Sequence, residues 1–154
     1  MIALDYIGFL GPGILIGISY AYMFYYGFQK KFQKKFLFTE MIEINAILNF
    51  FLKRIIKQPR PTKQIELKIP FFDGLKFKDY GMPSGHAQMA AFVTTFFLLY
   101  AKDYKYVFGT IFTAITLATL YQRYKYRAHS LFQIVVGALI GIFMGFTSSY
   151  FEIV

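Results

Sequence analysis

Residues 130–151 read SLFQIVVGALIGIFMGFTSSYF. This apolar run is long enough to approach the roughly 20 residues that cross a hydrocarbon layer about 30 Å thick. Glycines recur within it every four residues, at Gly137, Gly141 and Gly145. Small residues at that spacing are typical of a helix face packed closely against another helix in a membrane. The run therefore predicts a membrane-spanning helix with a close neighbour.

Apolar runs of similar character occupy most of the rest of the chain. The 154 residues are 56% hydrophobic and 21% aromatic, which is more apolar than an ordinary soluble domain. We expect one all-α domain over residues 1–154, a multi-pass membrane helix bundle with about five transmembrane helices. The predicted spans are residues 6–28, 36–52, 84–101, 104–121 and 130–151.

The first two spans carry unusual residues. The Gly-Pro-Gly step at 11–13 predicts a kink or an interruption of the first helix. The second span contains Glu40, Glu43, Asn45 and Asn49, which are costly against lipid and should face protein or water. We favour interhelical hydrogen bonds over a catalytic carboxylate for this group.

Charge and composition exclude several classes of function. The net charge is +9, but the basic residues lie between apolar runs, which favours anionic headgroups or a phosphorylated substrate over nucleic acid. Two His, eight carboxylates and no Cys, without a clustered ligand motif, predict neither a metal nor a disulfide. No cofactor is expected.

Three polar patches stand where apolar runs end: Lys53-x6-Arg60-Pro61, Pro83-Ser84-Gly85-His86 and Arg123-x5-His129. With five crossings, the loops at 53–83 and 122–129 fall on the same side of the membrane. A four-span or six-span arrangement would separate them. The three patches are therefore expected to form one active site at one membrane face.

The first two patches offer groups that bind phosphate. Lys53 and Arg60 are seven residues apart, which is two helical turns if the second helix continues toward the proline at 59, so both cations would point to one side. Ser84 is a good N-cap, and Gly85 allows close backbone approach at a helix N-terminus, where free N–H groups bind anions. His86 would lie in the first turn beside them.

The third patch adds a cation and a second imidazole. Arg123 is expected to close the fourth helix and His129 to open the fifth. Gln133 lies four residues later, on the same helix face. Its amide oxygen is expected to accept a hydrogen bond from the His129 Nδ1–H, which would leave Nε2 unprotonated and nucleophilic.

The order and spacing of the patches resemble the motif of the type-2 phosphatidate phosphatase superfamily, which includes lipid phosphatases and glucose-6-phosphatase. The resemblance implies that His129 attacks phosphorus and forms a phosphohistidine, that His86 protonates the leaving oxygen, and that no metal takes part. The residues that match those holding the phosphate oxygens are Lys53, Arg60, Ser84, Gly85 and Arg123.

Two positions depart from the common motif: Gln122 stands where a Ser is usual, and Gln133 where an Asp is usual. Glucose-6-phosphatase and the dolichyl diphosphate phosphatases are similar to this chain in having Gln at the second position. The resemblance to the dolichyl branch covers roughly residues 45–145, although that branch usually has Ser where Gly85 stands.

The resemblance implies a metal-independent membrane phosphatase that acts on a polyprenyl diphosphate of the dolichyl type. A phosphatidate or other glycerolipid phosphatase is an alternative within the class. A catalytically silent lipid-binding or scaffolding protein is an alternative outside it. The expected partners are membrane lipid and the phosphorylated lipid substrate, and the oligomeric state is left open. We expect a multi-pass integral membrane protein, in an endoplasmic-reticulum-type membrane if eukaryotic and otherwise in the plasma membrane.

Overall fold

The computed structural model describes residues 2–27, 32–65, 80–100 and 105–150. These residues form five α-helices, and the all-α prediction is confirmed. The ends predicted near residues 28, 101 and 151 lie outside the described residues. The helices are α1 (Ile2–Gly27), α2 (Phe32–Ile56), α3 (Gly85–Tyr100), α4 (Lys105–Lys125) and α5 (Leu131–Tyr150).

Two stretches, Ala3–Tyr25 in α1 and Leu131–Ser148 in α5, are long and apolar enough to cross a membrane. The helix α3 has 16 residues, which gives it a length of about 24 Å at 1.5 Å per residue. Basic residues occupy the last turns of α2 and α4. The five-span arrangement therefore stays a prediction for these three helices.

Helices that follow one another along the chain alternate in direction. A Cβ atom on Gly8 would meet Gln122, and one on Gly11 would meet Thr119, so α1 and α4 are antiparallel. The same reversal relates α3 to α2, through Asn49–Pro83 and Asn45–Met89, and to α4, through Ala90–Thr116 and Thr94–Phe112. The N-termini of α1, α3 and α5 consequently share one end of the bundle with the C-termini of α2 and α4.

The glycine face of α5 packs directly on α3. A Cβ atom on Gly137 would lie 2.5 Å from the carbonyl oxygen of Ser84, and one on Gly141 would overlap the carbonyl oxygen of Gln88. Gly145 meets the same helix further along. Because no side chain separates the two backbones, the helix-packing prediction is confirmed.

Aromatic rings fill the centre of the bundle. The Phe38 and Phe96 centroids are 4.9 Å apart, and those of Phe97 and Phe112 are 4.3 Å apart. Phe92 is also fully buried. In a membrane interior, the van der Waals packing of such rings stabilises helix association, since lipid is as apolar as the core.

The polar residues of α2 divide into two groups. Asn45 and Asn49 bond to Gln88 of α3, with Gln88 Nε2 2.7 Å from Asn45 Oδ1 and Asn49 Nδ2 2.8 Å from Gln88 Oε1. Glu40 and Glu43 are exposed. The predicted interhelical hydrogen bonds are confirmed for the asparagines.

The helix α1 continues through Pro12 without interruption. The predicted interruption is therefore wrong, because an apolar environment strongly favours keeping the backbone hydrogen-bonded within the helix. A kink at Pro12 stays a prediction. Gly11 meets α4, whereas a Cβ atom on Gly13 or Gly17 would have nothing within 4 Å.

Candidate active site

The three patches converge at the end of the bundle where α2 and α4 finish and α3 and α5 begin. The charges of Lys53, Arg60 and Arg123 act on both His86 and His129. These five side chains therefore lie within electrostatic range of one another. The structure brings the three patches together as expected, while their role as one active site and its position at a membrane face stay predictions.

The first patch is not the continuous helix predicted. The helix α2 ends at Ile56, and Lys57 has a φ of 51°, the left-handed conformation that ends many helices. The Lys57 N–H donates to the carbonyl oxygen of Lys53 at 3.0 Å. Arg60 therefore lies in the loop, where its Nη1 is 3.5 Å from the carbonyl oxygen of Ala128. The expected two-turn spacing is wrong, because the chain leaves the helix first.

The second patch begins α3, as predicted. The Ser84 carbonyl accepts the Gln88 N–H at 2.9 Å, and the Ser84 N–H donates to the Gln133 carbonyl at 3.1 Å. The Ser84 hydroxyl is buried and has no hydrogen-bond partner among the described residues. The N–H groups of Gly85 and His86, in the first turn, have no acceptor within the helix. These groups together offer donors to an anion.

A tight turn links Arg123 to His129. Arg127 has a φ of 51° and donates its N–H to Tyr124 at 2.9 Å. The N–H groups of Ala128 and His129 both reach the carbonyl oxygen of Arg123, at 3.1 and 3.3 Å. This is a Schellman-type helix end. It explains the spacing Arg123-x5-His129, because the turn brings the histidine back onto the arginine.

The guanidinium of Arg123 is held on two sides. Its Nε donates to the Gln122 Oε1 at 2.7 Å, and its Cζ lies 5.0 Å from the centroid of the Phe9 ring. Arginine has five N–H donors, so the bond to Gln122 leaves the four on its Nη atoms for other acceptors. Gln122, one of the departures from the family motif, thus orients a residue that is predicted to bind phosphate.

The predicted partner of His129 is wrong. His129 Nδ1 lies 2.8 Å from the carbonyl oxygen of Gly81, not against Gln133. His129 and Gln133 do not lie one turn apart on a helix face, because α5 begins at Leu131 and His129 precedes it. A carbonyl can only accept, so Nδ1 carries the proton and Nε2 of the neutral ring is unprotonated. The expected tautomer is therefore supported by a different acceptor.

Gln133 instead holds the loop of the first patch. Its Nε2 donates to the Pro59 carbonyl at 2.9 Å and to Gln58 Oε1 at 3.1 Å. Its Oε1 accepts the Ser130 N–H at 3.1 Å. The Gln58 carbonyl in turn accepts the Gly81 N–H at 2.8 Å. An aspartate at position 133 could not donate to the Pro59 carbonyl or to Gln58 Oε1. These two hydrogen bonds explain why a glutamine stands at this position.

The environment of His129 keeps its imidazole neutral. Burial is the main cause that lowers its pKa from 6.5 to about 3. The charges of Arg60, Lys53 and Arg123 lower the pKa further, while the hydrogen bond to Gly81 opposes them. At neutral pH the ring is therefore uncharged, with a lone pair available on Nε2.

A basic cavity of about 400 Å³ opens beside His129. Lys63, Lys125 and Arg127 contribute to its lining, and Lys125 is paired with Asp5 at 2.7 Å. The cavity is large enough to admit water to the histidine. Within the described ranges, no group of three or more His, Cys, Asp or Glu residues could hold a metal ion.

Three contributors to the site were not predicted: Gly81, Gln58 and Phe9. Gly81 acts through its backbone carbonyl, which any residue type possesses, and Gln58 through its backbone carbonyl and its side-chain Oε1, so the sequence carries little signal for them. A Cβ atom on Gly81 would lie 2.6 Å from Gln133 Oε1, which explains its residue type. Phe9 lies in an apolar run and resembles its neighbours.

Comparison with known proteins identifies the family of this chain. The chain matches the PAP2 superfamily over residues 34–152 and belongs to that superfamily. It is 32% identical over 121 residues to a dolichyldiphosphatase of Saccharomyces cerevisiae, covering 72% of this chain and 48% of the yeast protein. It is 31% identical over 107 residues to dolichyldiphosphatase 1 of Dictyostelium discoideum, covering 64% and 43%.

A third relative is lipid phosphate phosphatase epsilon 1, chloroplastic, of Arabidopsis thaliana, which is 30% identical over 103 residues, covering 63% of this chain and 33% of the plant protein. The chain thus spans about half or less of the length of these relatives. A transmembrane PAP2-type phosphatidylglycerolphosphate phosphatase from Bacillus subtilis has the same fold, with a TM-score of 0.74 at 18% identity, covering 97% of this chain and 75% of that one.

Proposed function

We propose that this chain is a metal-independent membrane phosphatase that removes the terminal phosphate of a polyprenyl diphosphate through a phosphohistidine on His129. One observation carries the proposal: a buried, neutral histidine presents an unprotonated Nε2 within range of three cations. A nucleophile for phosphorus needs that lone pair, and the cations offset the charge that an anionic substrate brings.

Each reaction step has a residue in place. Lys53, Arg60 and Arg123 hold the phosphate oxygens with the first N–H groups of α3. The Nε2 of His129 forms a bond to phosphorus while the bond to the leaving oxygen breaks, and His86, which this step requires in its protonated form, gives that oxygen its proton and becomes neutral. Water then attacks the phosphohistidine, His86 takes the proton from water, and orthophosphate leaves with the His129 ring restored.

The substrate class rests on the relatives. Two of them are named dolichyldiphosphatases, which favours a polyprenyl diphosphate. The Arabidopsis lipid phosphate phosphatases, at 30% and 28% identity, favour a glycerolipid phosphate as the second candidate. In either case the protein crosses the membrane several times, with the site at the face that bears the three patches.

The test is phosphate release by purified protein in detergent from polyprenyl diphosphate, polyprenyl monophosphate and phosphatidate, with chelator present. We expect turnover, with the diphosphate preferred. Preference for phosphatidate would select the second candidate. Activity that is lost in chelator and restored by a divalent cation would refute the mechanism.

The matched control is His129→Asn, because the amide Nδ2 can still donate to the Gly81 carbonyl while the nucleophilic nitrogen is gone. This variant should fold and bind phosphate but form no phosphoenzyme. If it hydrolysed lipid phosphate at the original rate, His129 would not be the nucleophile. If the unaltered protein released phosphate from none of the three lipids, the silent scaffold would be the better description.

A further inference from the structure

The helix α1 lies outside residues 34–152, the segment that matches the PAP2 superfamily. One of its side chains nevertheless reaches two residues of the site. The Phe9 ring lies 5.6 Å from the His86 ring, at an angle of 45°, and 5.0 Å from the Cζ of Arg123. A single aromatic ring therefore touches both the proposed general acid and a phosphate-binding cation.

The position of Phe9 is fixed by the contact between α1 and α4. The preceding residue, Gly8, lies so close to α4 that a Cβ atom would be 2.5 Å from both the Ala118 carbonyl oxygen and Gln122 Cβ. At the same end of the bundle, Asp5 pairs with Lys125 at 2.7 Å. Sliding or rotation of α1 would break these contacts, so the ring is held in place relative to Arg123.

Two contacts fix the orientation of the Arg123 guanidinium. Gln122 takes the Nε–H, and the Phe9 ring lies near the guanidinium carbon, where an arginine is attracted to an aromatic face. These contacts leave the four Nη donors for an anion. The contact with the Phe9 ring also limits the rotation of the half-buried His86 side chain.

We propose that Phe9 is a positioning residue that holds Arg123 for phosphate binding and His86 for proton donation, so that α1 completes the active site. The proposal rests on the proposed function for the role of His86. The binding role of Arg123 is independent of turnover.

The test compares Phe9→Leu and Phe9→Met with Phe9→Tyr, which keeps the ring. The control is Phe143→Leu, the same change at a side chain of α5 that is 66% exposed. Hydrolysis is measured for a lipid phosphate, whose leaving alkoxide needs a proton, and for 4-nitrophenyl phosphate, whose leaving group does not. Orthovanadate binding is measured through its effect on the thermal midpoint.

The Leu and Met variants should lose on the order of tenfold more activity on the lipid phosphate than on the nitrophenyl ester. They should also bind orthovanadate more weakly, while Phe9→Tyr and Phe143→Leu should behave like the unaltered protein. A merely structural role would lower both activities in proportion. That outcome, or unchanged vanadate affinity in both ring-free variants, would overturn the proposal.

The two proposals fail separately. If the unaltered protein bound orthovanadate but hydrolysed neither ester, the phosphatase function would fall. The role of Phe9 in holding Arg123 would then be tested by the vanadate measurement alone: weaker binding in the ring-free variants would support it, and unchanged binding would contradict it. If Phe9→Leu did not fold, Phe9→Met would supply the ring-free comparison, since methionine is flexible and adapts to the space that an aromatic ring leaves.

Discussion

At the scale of single residues, hydrogen bonds fix the orientation of the side chains in the candidate site. His129 is directed by the Gly81 carbonyl, and Arg123 by the amide of Gln122. Gln133 donates to the Pro59 carbonyl and so holds the loop after α2. In that loop, the Gln58 carbonyl accepts the Gly81 N–H. The two glutamines that depart from the family motif therefore each hold a neighbouring part of the candidate site in place.

The protonation state of His129 can be observed directly, because the chain contains two histidines and His86→Ala leaves only one. The lowered pKa, about 3, predicts that the remaining ring stays neutral, with its proton on Nδ1, as the pH falls from about 8 to about 5. Ring nitrogen and carbon chemical shifts, measured on protein without a histidine tag, report both properties.

An ordinary histidine would titrate near pH 6.5 over the same range. A midpoint there, or a proton on Nε2, would contradict the structure. The lowered pKa of His129 also makes stability depend on pH. Below about pH 6.5 the histidine is protonated in the unfolded chain but stays neutral in the folded protein, so the folded state becomes less stable as the pH falls.

Gln133→Leu should impair both stability and phosphate binding. The change leaves the Pro59 carbonyl and the Ser130 N–H without their partner, which costs about 1–3 kcal/mol for buried groups. It also frees the loop that carries Arg60, so turnover should fall roughly ten- to hundredfold and substrate affinity should weaken. Kinetics and thermal unfolding in detergent measure both effects.

Gln133→Glu is the informative companion. It keeps the acceptor for Ser130 but replaces the donor that faces Pro59, so it should be nearly as impaired as the leucine variant. An aspartate is usual at this position in the wider superfamily. Gln133→Asp should nevertheless be less active than the unaltered protein, because aspartate has no N–H to donate to the Pro59 carbonyl. An active aspartate variant would show that Gln133 acts on His129 after all.

At the scale of elements, the glycines of α5 set how closely α3 approaches, and α3 carries the anion-binding turn. Gly137→Ala would press on Ser84, and Gly141→Ala on Gln88. Each change should destabilise the protein by about 1–3 kcal/mol, as overpacking does. Gly137→Ala should also lower turnover more than Gly141→Ala, since it displaces the turn itself.

The matched control for both is Gly17→Ala in α1, where a Cβ atom would meet nothing within 4 Å. Alanine favours helix over glycine by up to about 1 kcal/mol, so this variant should be neutral or slightly stabilised. Thermal midpoints of the three variants provide the comparison. Equal midpoints for Gly17→Ala and Gly141→Ala would show that α3 and α5 are further apart than described.

At the scale of the whole molecule, the features that can be predicted from the sequence are those that depend on hydrophobic periodicity and motif spacing. The five helices, the glycine face and the convergence of the three patches were all predictable. The acceptor for His129 was not, because it depends on where α5 begins and on a backbone carbonyl 48 residues away in the chain. The loop position of Arg60 was missed for a similar reason: a left-handed residue at Lys57 ends α2 early.

The arrangement of all five helices across a membrane can be tested because the chain has no cysteine. If every helix spans, the loop after α2 and the turn after α4 lie on one side and the start of α4 on the other. Thr62→Cys and Arg127→Cys should therefore react with a membrane-impermeant maleimide from the same side of sealed vesicles, and Lys105→Cys from the opposite side. All three positions are exposed. Labelling of Thr62→Cys and Lys105→Cys from one side would mean that α3 does not cross, and the site would then not lie at the membrane face proposed for it.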